Sequence, residues 1–245
     1  MSGCWRPRWR PTSRSVSVTA AVLLDFYGTL ARATAWGATH DQVLARHGYR
    51  TGVSLQGWLS DDGLYDGQEH HEHSRSRDHY RAWELARLRA LARRAGVGPD
   101  DLDALVADLD AAGKEFTLTA YDDSAVALRE LRERGVVVAV CSNWDWDLDR
   151  ALTATGLADL IDHQVTSARA GVRKPHPHIY GHALGRCGVA PQDALFVGDS
   201  MSCDVQGPLN VGIRAVHVWR GDLDPPPLPA GAHRVRDLLE LLDLL

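Results

Sequence analysis

Three carboxylates, a hydroxyl and a lysine sit in this chain where their types and spacing could do chemistry. Asp25 closes the apolar run 20–24 and is followed by Gly28 and Thr29. An apolar run that stops at an acid is what a buried parallel strand looks like when it delivers a carboxylate to its C-terminal edge, where open α/β sheets place their active sites. A carboxylate held there can serve as a covalent nucleophile. Ser142 and Asn143 follow a second apolar run, 136–141, which brings a hydroxyl to a second strand end. Asp199 ends a third run, and Asp204 follows it closely. Two carboxylates so placed repel each other unless a cation or a lysine lies between them. Lys174 stands between the second and third runs, in Gly171-Val172-Arg173-Lys174-Pro175-His176-Pro177.

The elements that must position these residues are legible as an alternation. Strand-like segments at 17–25, 136–142, 163–167, 194–199 and 214–219 alternate with helical ones, the pattern of a parallel α/β sheet of five strands. Helices are expected at 124–134, opening on Ser124 as cap, at 145–155 with Asp145 as cap, at 177–187 before Gly188, and at 235–245. A Pro-rich turn at 225–229 separates the last strand from the last helix. The gap between the first two strands, 31–119, is too long for a crossover connection and reads as helices at 41–47, 79–95 and 99–114.

Four separated segments now stand in order: Asp25-Phe26-Tyr27-Gly28-Thr29, the run ending in Ser142-Asn143, the Lys174-Pro175-His176-Pro177 string, and Gly198-Asp199-Ser200 with Asp204 and Gly207. Together they resemble the four motifs of the haloacid dehalogenase-like (HAD) hydrolase superfamily over about residues 20–220. The resemblance implies an α/β fold, a Rossmann-like parallel sheet in a three-layer α/β/α core, with an inserted α-helical cap domain. The core would comprise 20–30 and 120–245, the cap 31–119, and 1–19 would be a disordered basic tail. It implies Asp25 as nucleophile, forming an aspartyl-phosphate. Asp25, Asp199, the main-chain carbonyl of Tyr27 and Asp204 are the implied metal site, for Mg²⁺, which prefers hard oxygen donors. Lys174 and Ser142 would hold the transferring oxygens, helped by main-chain N–H groups near Phe26 and Asn143. Asp204 would orient Lys174 or a metal-bound water, and Thr29 would brace the first loop. Plainer readings stand beside these: Ser142 and Asn143 as a turn, Lys174 as a surface lysine, Asp204 as a helix cap.

One residue departs from the pattern. The family's phosphatases carry a second Asp two places after the nucleophile, a general acid and base; this chain has Tyr27. With a pKa of about 10 against about 3.9 for Asp, a phenol can donate a proton but is a poor base near neutrality. A similar string occurs in L-2-haloacid dehalogenases, where the Asp attacks carbon without metal. Those enzymes, however, replace part of the acidic motif by neutral residues, whereas Asp199 and Asp204 are both kept here. The leading expectation is a Mg²⁺-dependent phosphomonoester hydrolase. The alternatives are a dehalogenase-type hydrolase and a catalytically impaired binding protein.

Composition excludes other classes. A net charge of −5 gives no electrostatic basis for binding nucleic acid or a membrane surface, and no apolar run approaches membrane-spanning length. The four cysteines lack metal-type or disulfide-type spacing, which suits a reduced cytoplasmic protein. The expected partner is a small phosphorylated molecule, with the chain acting as monomer or homodimer. Two further stretches invite a role. His70, His71 and His73, with Arg75, Arg77 and His79, could receive an anionic leaving group or supply the missing base; the plainer reading is a solvated loop. Trp144 and Trp146 either pack beneath the cap or line the substrate's way in, favouring a sugar or base ring.

Overall fold

The computed structural model describes residues 19–49 and 65–245. Six parallel strands form one sheet in the order β5-β4-β1-β6-β7-β8. They are β1 (Ala21–Leu24), β4 (Val137–Ser142), β5 (His163–Thr166), β6 (Ala194–Gly198), β7 (Arg214–Val218) and β8 (Ala232–Val235). The strand that carries Asp25 is central, with Leu24 in register with Val140 of β4 and Val197 of β6. The Asp25 N–H extends the ladder by donating to Val197 O at 2.9 Å. Asp25, Ser142 and Asp199 therefore emerge on one edge of three adjacent strands.

Alternation along the strands divides the core into two layers. Val22, Leu24, Val138, Val140 and Val197 face one cluster, while Leu23, Ala139, Cys141 and Phe196 face the other. The first face is covered by α4 (Ser124–Glu133), whose buried Ala127, Leu128 and Leu131 lie on one helical stripe. The second face is covered by α6 (Pro177–Cys187) through Ile179, Tyr180, Ala183 and Leu184. Both faces of the sheet are thus covered, which is why its strands read as continuous apolar runs.

The long connection leaves and returns through an antiparallel ribbon, β2 (Ala31–Trp36) paired with β3 (Phe116–Ala120). Beyond the ribbon, α1 (His40–Arg46), α2 (Arg77–Arg94) and α3 (Pro99–Lys114) share their own apolar cluster, including Val43, Leu44, Leu91, Leu105 and Leu109. The ribbon departs from the helical reading of the insert: β2, Ala-Arg-Ala-Thr-Ala-Trp, carries a weak signal, but β3, Phe-Thr-Leu-Thr-Ala, alternates as a strand does, a signal that the reading of 31–119 as helices overrides. Residues 50–64 of the expected insert, and 1–18 of the expected tail, lie outside the described residues.

Four local expectations need correction. The sheet has a sixth strand, β8, where the last helix was expected to begin; the helix α7 is confined to Leu238–Leu241, with Asp237 capping the N–H groups of Leu239 and Glu240. A four-residue edge strand of sequence Ala-His-Arg-Val carries too little periodicity to announce itself. Ser124 is no cap: it lies inside α4, and its hydroxyl donates to Leu30 O at 2.8 Å. Asp145 instead accepts the Asp147 N–H at 2.9 Å, so the helix α5 begins only at Leu148 (Leu148–Ala154). His70 is not solvated but 3% exposed. No helix among the described residues is long and apolar enough to cross a membrane.

Candidate active site

At the C-terminal edge of β1 and β6, carboxylate oxygens of Asp25, Asp199 and Asp204 all lie within 4.8 Å of one another. Lys174 reaches in from the loop before α6 and donates to Asp25 Oδ1 at 2.8 Å and to Asp204 Oδ1 at 2.6 Å. The second oxygen of Asp204 accepts the Ser200 N–H at 2.9 Å, so both of its oxygens are engaged. Among the described residues no cation pairs with Asp199; Thr29 donates its hydroxyl to Asp199 Oδ1 at 3.3 Å.

The electrostatics follow from that geometry. Burial works against the Lys174 charge, yet Asp204 and Asp25 outweigh it and hold the ammonium well above the usual lysine value. Burial pushes the Asp204 carboxyl up, against the pull of Lys174, and the two donors facing it favour the ionised pair. Asp199 is pushed up to about 6 by burial of its surroundings and by the Asp25 charge, although its own side chain stays open to the cleft. Three carboxylates matched by one ammonium leave an excess of negative charge, and that hard-oxygen donor set fits a divalent cation.

Two glycines permit this crowding. Gly28 adopts φ 85°, and a methyl group there would overlap the Asp199 carboxylate. A methyl on Gly198 would overlap Asp204. Neither position can carry a side chain without moving an acid.

The surrounding shell fixes main chain rather than side chain. The Asn143 amide oxygen accepts the Lys174 N–H at 2.7 Å, and its amide nitrogen donates to Lys174 O at 3.0 Å. A strap at 66–70 runs antiparallel to the lysine loop: Gly67 N–H donates to Lys174 O, Arg173 N–H to Gln68 O, and His70 N–H to Gly171 O. Glu69 meets His176 at 2.8 Å. On the acidic side, Arg234 of β8 donates to His217 Nδ1 at 3.0 Å, which leaves the proton on Nε2, 3.0 Å from Asp199 O.

Above the charged floor lies a cleft of about 410 Å³. Its wall contains Tyr27, Trp36 of β2, Phe116 and Leu118 of β3, and Trp144. Ser142, 2% exposed, also lines it, as does Asn143. The structure therefore brings together Asp25, Tyr27, Ser142, Asn143, Lys174, Asp199 and Asp204, with Thr29 one hydrogen bond away. The histidine stretch is not in this cleft; His70 stacks on Trp83 at 5.1 Å between centroids. Trp144 lines the cleft, whereas Trp146 faces a neighbouring cavity lined also by Tyr80 and Glu84. The wall residues Trp36 and Phe116, the strap and His217 carried no sequence signal of a role here; Gly28 and Gly198 did, as members of the motifs.

Comparison with known proteins agrees with this geometry. The pattern of the haloacid dehalogenase-like hydrolase family matches residues 19–212. Phosphoserine phosphatase of Thermus thermophilus is 38% identical over 122 residues, 49% of either chain. Glyceraldehyde 3-phosphate phosphatase of Methanopyrus kandleri is 30% identical over 178 residues, 71% of this chain and 74% of that one. A crystal structure described as a dehalogenase shares 28% identity at a TM-score of 0.57, covering 94% of this chain and 98% of its own. The chain spans about half or less of the length of several curated relatives it matches. With four motifs meeting at one sheet edge and the family pattern spanning most of its length, the chain belongs to the haloacid dehalogenase-like hydrolases.

Proposed function

We propose that this hydrolase cleaves a small phosphomonoester through an aspartyl-phosphate on Asp25. The observation that carries the reading is the convergence of Asp25, Asp199 and Asp204 within 4.8 Å around a single lysine. Asp25 Oδ attacks phosphorus, the bond from phosphorus to the leaving oxygen breaks, and that oxygen takes up a proton from the Tyr27 hydroxyl or from water. Water then releases phosphate from Asp25. Lys174 has a third N–H free of Asp25 and Asp204 to meet a phosphoryl oxygen, and the Ser142 hydroxyl faces the same cleft.

The donor set fits Mg²⁺, with Asp25, Asp199 and the Tyr27 carbonyl as the residues that would hold it. Bound there, the ion would neutralise repulsion between Asp25 and a dianionic substrate. Asp204, both oxygens engaged, orients Lys174, and Thr29 braces Asp199. The insert, 31–119, acts as the cap; its ribbon already lends Trp36, Phe116 and Leu118 to the cleft wall.

A second reading rests on Tyr27. A phenol where the phosphatases carry an acid, in an aromatic cleft, suits attack on carbon with halide departure, and a dehalogenase structure is among the similar proteins. The test is phosphate release from a broad phosphomonoester panel, with Mg²⁺ and with EDTA, using Asp25→Asn as the blank. Release requiring both Mg²⁺ and Asp25 supports the first reading. Halide release from 2-haloacids, indifferent to EDTA, supports the second. Neither release, with ligand still bound, points to a binding protein.

A further inference from the structure

The cleft wall speaks to the substrate. Four aromatic rings form a continuous chain above the carboxylates. Tyr27 meets Trp36 at 6.2 Å between centroids, Trp36 meets Phe116 at 6.1 Å, and Phe116 meets Trp144 at 6.0 Å. Trp144 is in turn braced from below by Phe26, edge to face at 5.1 Å. Trp36, at the end of β2, is 68% exposed, and Tyr27, in the turn after β1, is 39% exposed, although both are large side chains. Large aromatic surface left to water beside a site marks a surface that a ligand covers.

The charges are as informative. Among the described residues lining the cleft, the only charged groups are Asp25, Lys174, Asp199 and Asp204, all on its floor. Lys174 is committed to two of those carboxylates. Among the described residues, the wall of the cleft offers no cation to a carboxylate on the leaving group and no anion to an amine; the charged side chains of the neighbouring cavity, Lys114 and Glu84 among them, do not line it. Either charge would lose its water against aromatic rings with nothing in exchange.

We infer that the leaving alcohol carries a flat, uncharged ring, so that the substrate class is ring-bearing phosphomonoesters, with Trp36 the specificity-determining residue. The ring lies against Trp36 and Phe116 while the phosphoryl group sits over Asp25. This deepens, and rests on, the phosphomonoester reading above.

The experiment compares kcat/KM for 2-(1-naphthyl)ethyl phosphate, a naphthyl ester whose leaving group is an unactivated alcohol, with that for phosphoserine and phosphoglycolate. It runs on the full chain, on Trp36→Ala, and on Trp36→Phe. The expected result is a preference of roughly tenfold or more for the naphthyl ester, the size one apolar pocket supplies. Trp36→Ala should erase it mainly through KM, and Trp36→Phe should restore most of it. Trp36 is largely exposed, so its loss endangers folding little, and the unfolding temperature of each variant checks this. Phosphate release with no ring preference, or a preference untouched in Trp36→Ala, overturns the inference and leaves the phosphatase reading standing. If nothing is hydrolysed, binding decides. Calorimetry with 1-naphthylmethylphosphonate against 3-phosphonopropionate should still favour the aromatic ligand in a Trp36-dependent way, and equal affinities overturn the inference.

Discussion

Asn143 holds Lys174 by the main chain while leaving its ammonium untouched. The amide accepts the Lys174 N–H at 2.7 Å and donates to the Lys174 carbonyl at 3.0 Å. That carbonyl takes a second donor from Gly67 N–H at 3.1 Å, so the lysine backbone is clamped from the sheet and from the strap together. The side chain then runs to Asp25 and Asp204. Asn143 is therefore a positioning residue for a cation it never touches.

Asn143→Ala should cut kcat by about 10–100-fold, since displacing a catalytic group by around 1 Å can cost that much. The cost in stability should be about 1–3 kcal/mol, the range for a buried donor or acceptor left unpaired. Steady-state kinetics and urea unfolding on the same preparation check both. A variant with lost stability and unchanged kcat would reduce Asn143 to a brace.

A second prediction concerns pH and is independent of catalysis. Burial, then the Arg173 charge, lowers the His70 pKa from 6.5 to about 4. Its Nδ1 meets Ser74 Oγ at 3.0 Å, and Nε2 is buried with no hydrogen-bond partner among the described residues. The folded state therefore resists protonating this ring. Its contribution is fully present above the unfolded value near 6.5 and is lost as pH falls through that value toward 4. The full shift corresponds to about 3 kcal/mol. Urea unfolding at pH 7.5 and pH 5 should show wild type losing more stability than His70→Gln. Identical losses in the two proteins would sink the idea.

How much of this was readable in advance depends on distance along the chain. Asp25, Ser142 and Asp199 were legible because each terminates an apolar run, and a parallel sheet sends all such termini to one edge. The Asp204–Lys174 pairing was implied by the family resemblance, beside a metal-bound water; the like-charge argument put a cation between Asp199 and Asp204, whereas Lys174 bridges Asp25 and Asp204. The clamp from Asn143, the strap at 66–70 and the His217 contact to Asp199 were not legible, because each joins main chain to groups many residues away. The acids themselves are motif residues, but the wall of Trp36 and Phe116 comes from a ribbon inside an insert that reads as helices, even though Phe-Thr-Leu-Thr-Ala of β3 alternates as a strand. The sixth strand is hidden for a different reason: its four edge residues, Ala-His-Arg-Val, carry no period.

Asp123 offers a test of the fold near the base of the insert. It is 9% exposed and accepts from Arg220 at 2.8 Å and from the Leu238 N–H at 2.6 Å. Arg220 also donates to Thr29 O at 3.0 Å and lies over the Tyr121 ring at 3.9 Å. Asp123→Ala leaves a partly buried guanidinium and the start of α7 without their acceptor. The expected loss is about 3–5 kcal/mol, the range for breaking a buried pair from one side. For a chain of this size that is a fall of roughly 6–20 °C in Tm, readable by calorimetry. A shift under about 2 °C would mean that water replaces the carboxylate at no cost.

Tyr27→Asp tests the residue on which the reaction class turns. Tyr27 lines the cleft within two residues of Asp25, and its hydroxyl can supply a proton but cannot readily remove one near neutrality. In a phosphatase, the second half-reaction needs water deprotonated beside the phosphoenzyme. Restoring a carboxylate should then raise turnover by about 10²–10⁴-fold, provided phosphoenzyme hydrolysis limits the rate. Quenched-flow measurement of phosphorylated Asp25 should show a burst in wild type that vanishes in the variant. There is an opposing effect, because the new acid joins a cluster in which the Asp199 carboxyl is already pushed up to about 6. Without added Mg²⁺, its charge should raise Asp199 further, so the gain should appear at high Mg²⁺ and fade as the ion is withdrawn. A dehalogenase predicts the reverse, since a carboxylate set into the aromatic wall would repel a haloacid and abolish halide release. If the variant gains nothing at any Mg²⁺ concentration while wild type shows no burst, the base lies elsewhere and Tyr27 serves the wall alone.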